Sequence, residues 1–172
     1  MVLENQLEVV KSGGYAYAAL KTEDGFDLYC TFDSWDGIPL VVGVTANPAA
    51  GASPATVTVP SGKRWLYLGG VVSLVADATV ASRYVYNVVY PNGTTQYLKG
   101  RSAAVTASQT RVCHFVPGVT NSSVIGNDEM VAIGGFLPTE LPAGATITVE
   151  SVNLQVGDDY GAFTYFYKEA PA

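Results

Sequence analysis

Apolar and polar positions along this chain alternate with a period near two, and no stretch follows a helical period for three turns. Runs of β-branched and aromatic residues, each closed by Gly, Pro, Asn or Asp, predict strands at 15–20, 26–32, 55–59, 64–76, 82–90, 94–99, 110–116, 130–136, 145–156 and 160–168. Glu23-Asp24-Gly25 and Pro91-Asn92-Gly93 read as hairpin turns between neighbouring strands. Residues 103–108 are small and fit either a weak strand or a loop. The runs 64–76 and 145–156 are long for strands. Gly69-Gly70 interrupts the first, where a bulge or bend would let one strand serve two sheets.

One phrase occurs twice. An apolar residue leads into Pro-x-Gly and then into a β-prone run, at Pro60-Ser61-Gly62 and again at Pro142-Ala143-Gly144. Proline presets φ at the first corner of such a turn, and glycine accepts a positive φ. Residues 37–62 carry no charge and hold Pro39, Pro48, Pro54 and Pro60. The centre of that segment, 47–54, predicts a loop between an N-terminal arm or hairpin at 1–46 and a main barrel at 55–172. Many short strands without helices predict an all-β fold. The expected form is one compact domain, a single jelly-roll barrel or sandwich of about eight to ten antiparallel strands.

Composition narrows the function. A domain of 172 residues can bury roughly 70% of its unfolded surface. Charged residues make up 14% of the chain, against about 25% in an ordinary soluble domain. So neutral a surface favours assembly, with a plain neutral domain as the alternative. The best apolar stretch, 38–44, is broken by Pro39 and Gly43 and falls well short of the ~20 residues of a membrane helix. The start, Met1-Val2-Leu3-Glu4, lacks the basic region and apolar core of a signal peptide, so synthesis in the cytoplasm is expected.

The net charge of −6 hides a layout in three blocks. Residues 1–36 are net −5, residues 37–127 net +5 and residues 128–172 net −6. Such blocks can pair inside one barrel or between neighbouring copies. The six bases of the middle block are scattered and the chain is acidic overall, which argues against nucleic-acid binding.

Reactive chemistry is sparse. His114 is the one histidine, and in a strand its neighbour Cys113 points to the other face, so the two make no Cys–His pair. Asp33 with Asp36, Asp128 with Glu129, and Asp158 with Asp159 are acidic clusters without the ligand spacing of a calcium loop. Cys30 and Cys113 are expected as buried thiols, with a bridge left open. No catalytic, cofactor or metal residues are expected. The strand 160–168 places Phe163, Tyr165 and Tyr167 on one face and Phe166 on the other, so both faces are sticky. The expected cover is the core on one side and a neighbour or arm on the other. The alternative is a tyrosine platform for sugar stacking.

Pro60-Ser61-Gly62-Lys63-Arg64-Trp65, the long strand after it, Ser82-Arg83 before the next, and Leu141-Pro142-Ala143-Gly144-Ala145-Thr146 carry a resemblance. Over roughly 55–168 the chain resembles the small major capsid protein of tailless icosahedral phages of Thermus that contain an internal membrane, in the single vertical jelly-roll lineage. The resemblance implies a virion location and a shell of a small and a second, larger coat protein. Each would be an upright β-barrel over a lipid vesicle, and no catalytic residues carry over. On this reading the chain forms at least a dimer, and Tyr165, Phe166 and Tyr167 are interface candidates. Lys63, Arg64, Lys99 and Arg101, at predicted strand ends or turns, are candidates to meet anionic headgroups. The second reading is a carbohydrate- or receptor-binding jelly-roll module that uses Tyr165 and Tyr167.

Overall fold

The computed structural model describes residues 7–12, 15–21, 27–31, 35, 37–96, 98–115, 123–125, 129–131 and 138–172. The chain divides into two compact units, Met1–Ile38 and Pro39–Ala172. In the first, β1 (Leu7–Ser12), β2 (Tyr15–Lys21) and β3 (Asp27–Thr31) form an antiparallel sheet in chain order. The β2–β3 pairing agrees with the sequence, while its turn at 23–25 lies outside the described residues. β1 was not expected, because the adjacent Val9 and Val10 break the alternation.

The second unit is a two-sheet sandwich. Its strands are β4 (Leu40–Val44), β5 (Val57–Thr58), β6 (Lys63–Val75), β7 (Tyr84–Tyr90), β8 (Leu98–Arg101) and β9 (Thr110–Phe115). They continue with β10 (Ser123–Ile125), β11 (Glu129–Val131), β12 (Thr139–Leu141), β13 (Thr146–Val152), β14 (Asp159–Tyr160) and β15 (Thr164–Pro171). The larger sheet runs β10-β11-β9-β6-β15-β4, with β12 and β14 also on β6; the smaller runs β5-β13-β7-β8. Pairing is antiparallel except where β11 lies parallel to β9. The chain is therefore all-β, and among the described residues there is no helix.

One core cluster fills the space between the sheets. The larger sheet contributes Trp65, Tyr67, Leu74 and Phe115, and the smaller contributes Val85, Ile147 and Val149. Two polar pairs cross it. Tyr67 donates to Asn87 Oδ1 at 2.9 Å, and the Ser151 and Tyr160 hydroxyls bond each other. Buried hydroxyls find partners because an unmade bond there costs about 1–3 kcal/mol.

β6 has 13 residues because it serves partners in tandem. One side carries β15 and then β14; the other carries β12 and then β9. The expected irregularity is present. Phe166 pairs with Gly69 and Tyr167 with Tyr67, which leaves Leu68 as the extra residue of a bulge, with Gly69 at φ 119. The insertion resets the alternation, so Trp65 and Tyr67 before it and Val72 and Leu74 after it all reach the core. The bulge does not send β6 into a second sheet, as the sequence reading allowed. It lets one long strand keep its apolar side inward.

The two Pro-x-Gly turns also differ in detail from expectation. Lys63 N donates to Pro60 O, and Ala145 N donates to Pro142 O. Each proline thus precedes the corners, and Gly62 (φ 73) and Gly144 (φ 82) occupy the second corner. The two turns bond to one another through Val59, whose N–H donates to Ala145 O and whose carbonyl accepts from Gly144 N. The repeated phrase closes one end of the sandwich.

Boundaries shift where side chains capture the backbone. Asn92 Oδ1 accepts from Thr94 N and Thr95 N, so the turn extends and β8 starts at Leu98. Gly161 N bonds Ser73 O, which separates β14 from β15 inside the run expected as one strand. β4, β10 and β12 fall in segments read as arm or turn. Because β4 pairs along its length with β15, residues 40–44 join the sandwich, and the units divide after 38 rather than 46.

Candidate interaction surfaces

The loop end opposite the Pro-x-Gly turns is organised by Arg83. Its side chain is fully buried, and all five N–H groups are used. Nε and Nη2 grip Asp158 at 2.9 Å each, Nη2 also reaches Asp77, and Nη1 donates to the Thr79 and Ala81 carbonyls. Asp158 is buried as well, and accepts from Asp77 N at 2.9 Å and Gln155 N at 2.7 Å. Burial alone would raise the Asp158 carboxyl. The guanidinium and these two amides outweigh it and hold Asp158 below the usual carboxylate range.

Further bonds extend this clamp. Gly51 N donates to Asp158 O, Ser108 N donates to Asp77 O, and Arg83 bridges to Val105. Connectors 45–56, 76–83, 102–109 and 153–158 are thereby tied together. Sequence reasoning considered Asp158 only with Asp159, as a cation cluster, and missed this role. The available signal was that Asp77 is the sole acid between 37 and 127. Two apolar side chains stand out from the clamped loops, Val80 at 94% exposure and Val156 at 89%.

The segment 163–167, which leads into and opens β15, divides its aromatics as the alternation predicts. Phe163 is buried, and Tyr165 and Tyr167 pack against the core. They stack in a row, Phe163 to Tyr165 at 5.7 Å, Tyr165 to Tyr167 at 5.6 Å and Tyr167 to Trp65 at 3.9 Å between centroids. Desolvation raises both tyrosine hydroxyls above their ordinary range. Gly43 of β4 lies under the Tyr165 ring, where a Cβ would overlap it.

Phe166 projects to the other face, level with Val42. On that outward face of β4, Leu40, Val42 and Val44 are each more than half exposed. Sequence reasoning placed this strand in an arm and did not single out its outward row. The signal was an aliphatic run inside the charge-free segment.

The basic candidates separate. Lys63 binds Glu169 at 2.8 Å and Arg64 binds Glu140 at 2.6 Å, both at the start of β6. Trp65 Nε1 also donates to Glu169, and the Lys63 and Trp65 bonds lower that carboxyl. Lys99 and Arg101 lie on β8 of the smaller sheet, where the Arg101 guanidinium sits 4.9 Å from the Tyr84 ring centroid. Cys113 is a free, buried thiol whose pKa burial pushes up to about 12. His114 Nε2 is buried without a hydrogen-bond partner. Among the described residues no three His, Cys, Asp or Glu side chains converge as a metal site. Asp33, Asp36 and Asp128 lie outside the described residues.

Comparison of the chain with protein-family models, with curated proteins and with solved structures found no match.

Proposed function

We propose that this chain is a structural subunit of a protein shell. In its specific form it is the small coat protein of an icosahedral, membrane-containing virion, associating with itself and with a second, larger coat protein. The observation that carries the reading is the exposure of aliphatic side chains on a surface poor in charge. Leu40, Val42, Val44, Val80 and Val156 all face solvent in the single chain, and such patches are commonly contact surfaces. The clamp at Arg83 supports it, since rigid connectors lower the ordering cost of each contact.

Lys63 and Arg64 already face carboxylates, so the proposed contact with anionic lipid is assigned to β8, whose sequence carries Lys99 and Arg101. The carbohydrate-binding alternative has weaker support, because the rings of Tyr165 and Tyr167 stack with their neighbours in the row. Gradient fractionation of lysate from the natural source, probed with antibody to this chain, tests the reading. The expected position is in fast-sedimenting particles together with a larger protein. Recovery solely in low-mass soluble fractions would refute it.

A further inference from the structure

We propose that β4 is a self-pairing edge. Two copies join their larger sheets antiparallel through Leu40–Val44, about a two-fold axis at Val42. The inference rests on the shell-subunit reading and names one contact within it.

β4 is the last strand of its sheet, and among the described residues it pairs only with β15. Exposed edges are normally blunted by charges, bulges or inward-turned residues. β4 has none of these. It carries no charge, its register with β15 is unbroken, and Leu40 (55%), Val42 (54%) and Val44 (60%) stand exposed. An edge of this kind recruits another strand.

It is also held ready to do so. Thr45 N donates to Phe163 O and Thr45 Oγ1 accepts from Phe163 N, each at 3.0 Å, which fixes one end of the strand. Tyr165 packs over Gly43 in the middle. Little backbone freedom remains to be lost on pairing.

A second copy is the occupant that fits. The whole segment 37–62 is neutral, so two such edges meet without like-charge repulsion, and a charged partner strand would find no counter-charge. Antiparallel pairing centred on Val42 overlaps the full strand, with Leu40 opposite Val44 of the other copy. A one-residue slip would set the outward row against core-facing positions. The contact is small beside the roughly 800 Å² per partner of a stable interface. It is weak in a free pair, and many such contacts acting together hold it in a shell.

Cysteine trapping tests the contact. Val42→Cys and, as control, the exposed turn position Ser61→Cys are made in full-length chain carrying Cys30→Ser; buried Cys113 stays inert. Facing residues of antiparallel strands lie about 4.5–5.5 Å apart at Cα, inside the range a disulfide spans. Under equal mild oxidation, Val42→Cys should form covalent dimer about tenfold faster than Ser61→Cys, because pairing raises the local thiol concentration. Equal rates overturn the contact. If the unmodified chain still associates in sedimentation, with itself or with the larger coat protein, the shell reading survives that result; if it stays a single chain in both cases, both fall. Slow amide exchange of 40–44 in dilute single chains would show the edge covered by its own chain, and also overturns the contact.

Discussion

Arg83, fully buried, presents five N–H groups to five oxygen contacts, so its removal leaves Asp158 as a buried, unpaired charge. Breaking such a pair costs about 3–5 kcal/mol. Arg83→Met should lower stability by that order in urea unfolding, and Arg83→Lys should recover little, since an ammonium cannot make the bidentate grip. A loss below about 1 kcal/mol, the range of exposed pairs, would show that the clamp is not structural.

Acid should act through the same group. The folded carboxyls of Asp158 and Glu169 are depressed, so the stability they confer is full above the unfolded carboxylate range near pH 4 and is lost as pH falls through their folded values. Thermal melts should show a decline below about pH 4 that is smaller in Arg83→Met. None of this was legible beforehand. Sequence showed a lone Asp77 and a nearby Arg83, but burial of Arg83 depends on Asp158, 75 residues away.

Among the elements, local pattern was legible and pairing was not. β6, β7 and β9 lie where alternation placed them, and the Gly69-Gly70 interruption is a bulge. β4 escaped because a five-residue aliphatic run between prolines resembles a linker until its partner β15 is known. The parallel step from β9 to β11 has no sequence sign. Glycines at close approaches offer a test. Gly43→Ala forces a methyl into the Tyr165 ring and should cost about 1–3 kcal/mol, as overpacking does. Gly62→Ala meets open space and should cost only its positive-φ strain, about 1 kcal/mol. Equal losses in denaturant titration would mean that the β4–β15 packing tolerates displacement.

At the scale of the whole molecule, fold class followed from alternation and turn chemistry, both of which are local. The clamp and the stacking of Tyr167 on Trp65, by contrast, arise from contacts distant in sequence. Vesicle flotation checks lipid contact: binding to anionic vesicles should fall with added salt and with Lys99→Gln plus Arg101→Gln. Binding indifferent to both would remove those two residues from the account.

The most direct trial is the mass of the purified full-length chain, followed by sedimentation velocity from dilute to concentrated solution. Reversible growth beyond one chain is the predicted outcome, driven by the uncovered aliphatic surfaces. A single-chain mass throughout, unchanged in the presence of the larger coat protein, would contradict it.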